Sequence, residues 1–146
     1  MAKSAAIDSF LKFYKNFDVS SDILFNKVYD KKIIFEDPFH KVIGRKDVFN
    51  YFVRIMEKVP ECTFEIFDVG VIEGQGAKEN SAMITWVMKF KHNMLNSGKE
   101  ISVNGVSHIK FREKVTYHRD YFDSGQLIYK NIPLLGSIIR FFEKGM

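Results

Sequence analysis

Between residues 62 and 124 the chain runs through four long segments of alternating apolar and polar side chains. Such a pattern limits this half to an antiparallel sheet with one face packed and the other exposed. The segments are 62–73, 80–93, 99–112 and 115–124, separated by Gly74-Gln75-Gly76, Asn96-Ser97-Gly98 and Arg112-Glu113-Lys114, all suitable turns. Ile84, Trp86, Met88 and Phe90 share one face, and Ile101, Val103, Ser107, Ile109 and Phe111 share another. Strands longer than the usual five or six residues twist and bend strongly. Asn104-Gly105 is a hairpin dipeptide, but a turn there would leave two stubby strands, so a bulge or bend at Gly105 is expected.

Residues 1–60 read as helices with one short strand. Ala6, Phe10, Phe13 or Tyr14, and Phe17 recur at three- and four-residue steps behind Ser4, a suitable N-cap. Ser20, Ser21 and Asp22 introduce a second helix with Ile23, Leu24, Val28 and Tyr29 as its apolar side. Lys32–Glu36 is a short strand stopped by Asp37-Pro38. Val48, Phe49, Phe52, Val53, Ile55 and Met56 form the broad face of a third helix between Gly44 and Pro60. The expected fold is therefore α+β, with three N-terminal helices on a bent antiparallel sheet. Together they form a cone-shaped single domain over 1–146, ending in a helical tail at 125–146. Pro133 opens that tail's apolar stripe of Leu134, Leu135, Ile138, Ile139 and Phe142, with Gly145 as its stop. The stripe can close a pocket, pair two subunits or lie on a membrane, the last being weakest because Arg140 and Lys144 are its only basic residues.

Composition removes several function classes. A net charge of +4 from scattered basic residues gives no nucleic-acid footprint, with Lys31–Lys32 and Arg45–Lys46 the only adjacent pairs. Cys62 is the single cysteine, so neither an intramolecular disulfide nor a cysteine zinc site can form. The four histidines lack metal-ligand spacing, and no phosphate loop, nucleophile elbow or dinucleotide fingerprint is present, so neither metal nor cofactor is expected. No secretory h-region opens the chain, and the stretch from Ile132 to Phe142 is too short to span a bilayer. A reduced cytoplasmic protein is the expectation.

Chemistry belongs on the inner face of the cone. Asp37 ends a strand with Phe35 on its side. Enclosed there it serves as a general base, and as an Asp-Pro turn opener it is only a cap. His118 and Asp120 sit at i and i+2 of the last strand, with Cα atoms about 6.6 Å apart on one face. A carboxylate so placed fixes the imidazole tautomer. Phe122 continues that face, while a shift of one residue would turn it to solvent and bring in Tyr117 and Tyr121. Trp86 fits either a pocket wall or the core, and Ser107 invites a ligand or a polar neighbour. Val69, Val71 and Val106 fall on the outer face, which favours a homodimer.

The motifs FYKNFD (13–18), FEDPF (35–39), GVSHIKF (105–111) and YHRDYFD (117–123), in this order of elements, resemble the nuclear transport factor two-like superfamily. Within it the chain is most similar to SnoaL-like proteins related to ketosteroid isomerases, and LIYKNIPLLGSIIRF resembles an extension of one uncharacterised SnoaL-like subgroup. The resemblance implies an apolar pocket, with Tyr29, Phe52 and Trp86 near it and His118, Asp120 and Phe122 on its side. Glu36-Asp37-Pro38 matches the context of the isomerase base, and the isomerase tyrosine falls on Phe13 or Tyr14. Its protonated aspartate falls on Ser107, which cannot supply so acidic a donor. In SnoaL-like cyclases an inner-face aspartate is the acid/base, and Asp120 corresponds to it. The implied activity is cofactor-free isomerisation, cyclisation or dehydration of a hydrophobic carbonyl compound. Asp37, His118 and Asp120 would carry the chemistry, and Tyr14, Tyr29, Phe52, Trp86, Ser107 and Phe122 would hold the ligand. The alternative is a non-catalytic binder or dimerisation module on the same fold.

Overall fold

The computed structural model describes residues 2–127 and 133–145. Six strands form one sheet in the order β2-β1-β6-β5-β4-β3. They are β1 (Tyr29–Glu36), β2 (Lys41–Ile43), β3 (Thr63–Ile72), β4 (Asn80–Phe90), β5 (Ile101–Phe111) and β6 (Val115–Phe122). The four long segments thus become β3 to β6, each paired antiparallel with the next. The sheet is not antiparallel throughout, because β1 lies parallel to β6. Parallel neighbours need a long crossover, and the chain between β1 and β6 supplies one. The short β2 was not visible in the sequence. Its three residues fold back on β1 with Ile43 60% exposed, too brief and too open to show a period.

No bulge forms at Gly105. The β4–β5 ladder runs without a break from Asn80↔Phe111 to Phe90↔Ile101, with Trp86 opposite Gly105. A Cβ on Gly105 would come within 2.1 Å of the Trp86 ring, so the glycine is there to let the indole lie across the strand. The irregularities fall elsewhere, between Tyr29 and Ile34 in β1, between Ile66 and Val69 in β3 and between Lys110 and Phe111 in β5.

Helix α1 (Ala2–Asn16) begins ahead of Ser4, which therefore lies inside the helix and does not cap it. It buries Phe10, Phe13 and Tyr14, and Phe17 packs just past its end. Helix α2 (Ile23–Val28) is only six residues long and buries Phe25 and Val28, leaving Ile23 67% exposed. Its face differs from the expected one because Tyr29 has already left the helix and enters the core at the head of β1. Gly44, at φ 95°, precedes α3 (Arg45–Lys58), in a backbone region that L side chains avoid. Val48 and Phe52 are its buried residues.

The core is a continuous set of aromatic contacts in which Phe13 meets Phe25, Tyr29 and Phe52 at ring-centroid distances of 5.7, 6.3 and 6.4 Å. Each such ring contributes about 1.5–3 kcal/mol by leaving water. Short α4 (Ser124–Leu127) follows the sheet, and α5 (Pro133–Lys144) starts at the expected proline. On α5, Ile138 and Phe142 are exposed, while residues 128–132 and the side chains of Leu134, Leu135 and Ile139 lie outside those described.

Candidate functional site

The concave face of the sheet and helices α1 and α3 bound a half-open cavity of about 290 Å³. Tyr14 reaches it from α1, Phe52 from α3, Trp86 from β4 and Phe122 from β6. Two carboxylates line it, Asp37 just past β1 and Asp120 on β6. The walls are otherwise almost wholly apolar. Tyr14, not the fully buried Phe13, is the α1 aromatic that lines the cavity.

Strand β6 places His118, Asp120 and Phe122 on one face by its two-residue period. His118 is fully buried, and its Nε2 lies 2.6 Å from Asp120 Oδ1. Tyr29, Ser107 and His118 stand behind the wall and do not line the cavity. They are joined to it by hydrogen bonds whose direction can be worked out. Trp86 Nε1 can only donate, so Ser107 Oγ accepts it at 2.9 Å. The single Ser107 proton then goes to Asp120 Oδ1 at 2.5 Å, closer than His118 Nε2 at 3.3 Å. Oδ1 therefore acts as acceptor for both Ser107 and His118 Nε2–H. In the neutral imidazole this leaves Nδ1 to accept from Tyr29 Oη–H at 2.8 Å, and Tyr29 to accept from Tyr14 at 3.2 Å. Every donor in the set points toward Asp120, whose Oδ2 has no hydrogen-bond partner among the described residues.

Burial pushes the phenols of Tyr14 and Tyr29 well above their ordinary range, and for Tyr14 the neighbouring Tyr29 and the Asp120 charge add to it. Both therefore remain protonated donors at neutral pH.

Asp37 both caps its turn and lines the cavity. Its Oδ1 accepts the backbone N–H groups of Phe39 and His40 at 2.8 and 2.7 Å, which closes the Asp-Pro turn. Its Oδ2 accepts Tyr51 Oη–H at 2.5 Å on the cavity side. Burial, then this bond to Asp37, raises the Tyr51 phenol as well. His40 Nδ1 lies 3.1 Å from the same hydroxyl. Tyr51 was missed in the sequence, although Val48, Tyr51 and Ile55 stand at helical steps. Cys62 also lines the cavity, and burial pushes its thiol up to about 12. Among the described residues no cluster of three or more His, Cys, Asp or Glu is arranged to hold a metal ion.

A family model described as a SnoaL-like domain matches residues 10–118, a stretch that stops two residues short of Asp120. No curated protein matches the chain in sequence. Among solved structures, a Jannaschia sp. CCS1 protein provisionally assigned as a SnoaL-like polyketide cyclase superposes with a TM-score of 0.72 at 12% identity, covering 91% of this chain and 94% of that one. A Catenulispora acidiphila DSM 44928 protein with a ketosteroid isomerase-like fold, in complex with trimethylamine, gives 0.67 at 11% identity over 88% and 92%. TerC, co-crystallised with polyporic acid, gives 0.64 at 13% identity over 85% and 93%. At these identities the likeness is one of fold.

Proposed function

This chain belongs to the SnoaL-like domain family, and from that premise we propose that it performs cofactor-free proton transfer on a small, hydrophobic, carbonyl-bearing molecule held in the cavity. The observation that carries this reading is the arrangement of Asp120: it lines the cavity, its Oδ1 is held by two donors, and its Oδ2 has no hydrogen-bond partner among the described residues. A carboxylate fixed on one oxygen and surrounded by apolar walls is a positioned base. Its Oδ2 takes a proton from the carbon next to the carbonyl, and the C–H electrons move into an enolate. Return of that proton to another carbon isomerises the substrate. Attack of the enolate carbon on a second carbonyl closes a ring, and loss of a neighbouring hydroxide dehydrates it.

His118 and Ser107 act as positioning residues for Asp120. Tyr14 is the donor for the developing oxyanion, because its 3.2 Å bond to Tyr29 is the longest in the chain of donors and the easiest to exchange for a ligand. Asp37 with Tyr51 forms a second acid–base station. Tyr29 sets the His118 tautomer, while Phe52, Trp86 and Phe122 shape the apolar wall. Polyporic acid in TerC and trimethylamine in the Catenulispora protein support a small molecule as the occupant of such a fold.

The test is α-hydrogen exchange of 2-tetralone in D₂O, followed by NMR. Wild-type protein should accelerate exchange, and Asp120→Asn should remove about 100-fold or more of the acceleration, the scale of a lost general base. Equal exchange with and without protein, or full activity in Asp120→Asn, contradicts the proposal.

The outer sheet face supports a second feature, homodimerisation. Ile72 is 58% exposed there and Met83 39%, whereas the register sets Val69 and Val71 opposite buried Ile84 and Ala82, so these two valines, expected on the outer face, lie on the inner one. Sedimentation should give a dimer at micromolar concentration and a monomer for Ile72→Glu; a wild-type monomer removes this proposal. The one cysteine, free and buried, suits the cytoplasm as the compartment.

A further inference from the structure

The charges around the cavity narrow the ligand further, on the premise that Asp120 is its working group. Asp37 and Asp120 line one small space, and among the described residues only histidines, of the basic side chains, come within 4 Å of their oxygens. His40 Nδ1 is 3.9 Å from Asp37, and His118 Nε2 is 2.6 Å from Asp120. No described lysine or arginine closes on either carboxylate. Lys58, exposed at the end of α3, and His92, whose Nδ1 accepts the Met94 backbone N–H at 3.2 Å, are the basic residues of the lining. The hydrogen bonds that hold the two carboxylates orient their charge without cancelling it. Most of the remaining wall is aromatic, and ring faces attract cations through their quadrupole.

We propose that the cavity selects an apolar molecule carrying one positive charge, an alkyl- or arylalkylammonium, with the charge between the two carboxylates and its substituents against the aromatic wall. Size agrees with this class. A dry cavity of about 150 Å³ holds benzene, and 290 Å³ is about twice that, enough for a ring with a branched cationic head. The chemistry also agrees, because a cationic nitrogen beside the reacting carbon acidifies its C–H bond and so lightens the work of a carboxylate base.

The experiment compares benzyltrimethylammonium with neopentylbenzene, in which carbon replaces the charged nitrogen and the shape is kept. Binding is read from the fluorescence of Trp86, the single tryptophan, at pH 7.5. The cation should bind wild type at least about tenfold more tightly than the hydrocarbon, a gap of about 1.4 kcal/mol. Asp120→Asn, which keeps shape and removes charge, should close most of that gap and leave hydrocarbon binding unchanged. A hydrocarbon that binds as well as the cation, or a preference untouched by both Asp120→Asn and Asp37→Asn, overturns the inference while leaving the cavity a site for neutral substrates. Binding of neither molecule overturns the inference, and if 2-tetralone also fails to bind, the reading of the cavity as a ligand site falls with it.

Discussion

Replacing Gly105 by alanine should cost stability at a position where general rules expect a gain. In a backbone conformation that alanine accepts, Gly→Ala stabilises by about 0.4–1 kcal/mol through the unfolded chain. Here the added Cβ would lie 2.1 Å from Cη2, 2.4 Å from Cζ2 and 2.5 Å from Cζ3 of Trp86. Non-bonded carbons rest at about 3.5–4.0 Å, so the indole must retreat by about an ångström or more. Trp86 is 3% exposed and donates to Ser107 at 2.9 Å, so it cannot retreat without straining its neighbours and losing that bond. Overpacking costs about 1–3 kcal/mol, and stranding a buried polar group costs about 1–3 kcal/mol. Set against the gain, the net loss is about 3 kcal/mol, or about 10 °C in melting temperature for a chain of this size. Urea unfolding followed by circular dichroism reads it without relying on the tryptophan signal. In a Trp86→Leu background the same step should cost less than about 1 kcal/mol, because the obstacle is gone. A Gly105→Ala protein as stable as wild type refutes the reasoning.

Three further outcomes follow from the buried hydrogen-bond chain and the cavity. His118→Phe keeps a flat ring, slightly enlarged, but removes the acceptor of the fully buried Tyr29 hydroxyl, 2.8 Å from His118 Nδ1, and leaves it only the longer 3.2 Å bond to Tyr14; a loss of about 1–3 kcal/mol is expected in urea unfolding, shrinking when Tyr29 is also phenylalanine. The folded phenols of Tyr14 and Tyr29 are raised, so above pH 10 the unfolded chain releases protons that the folded one keeps. Stability from these two groups is whole below pH 9 and should fall by about 3 kcal/mol per pH unit above 10.5, to which the raised Tyr51 and Cys62 add their own share; Tyr29→Phe should lower the slope by about 1.4 kcal/mol per pH unit, and a flat urea midpoint between pH 9 and 11 contradicts this. Cys62, with its thiol at about 12, should react with a disulfide reagent at pH 8 about 1,000-fold more slowly than an ordinary thiol, and more slowly still with the cavity filled; reaction at the rate of a free thiol would show that the cavity wall is open.

Much of the fold and half of the site were legible in the sequence, and what was not has physical reasons. The inner face of β6 follows from a two-residue period, so spacing alone groups His118, Asp120 and Phe122. Periodicity says which way a side chain points but not how deep it lies. Tyr29 and Ser107 were therefore expected to line the cavity, whereas they stand one layer behind its wall. Non-local pairings are likewise silent. The parallel β1–β6 contact and the Tyr51–Asp37 hydrogen bond both depend on how distant segments meet. Helix α2 spans fewer than two turns, too few to fix which side is buried. At Asn104-Gly105 the local signal was real but its cause was not: the glycine clears space for a ring on the next strand, and the ladder runs straight through it.

The most direct measurement is the pH–rate profile of α-hydrogen exchange catalysed by wild type and by Asp120→Asn, with ligand binding monitored in parallel through Trp86. Wild type should show a rate that rises with pH through a single ionisation and then holds level, the mark of one carboxylate base. Asp120→Asn should lose both the rate and the ionisation while still binding the ligand. An unchanged profile in Asp120→Asn would contradict Asp120 as the base and leave the cavity a binding site whose chemistry lies elsewhere.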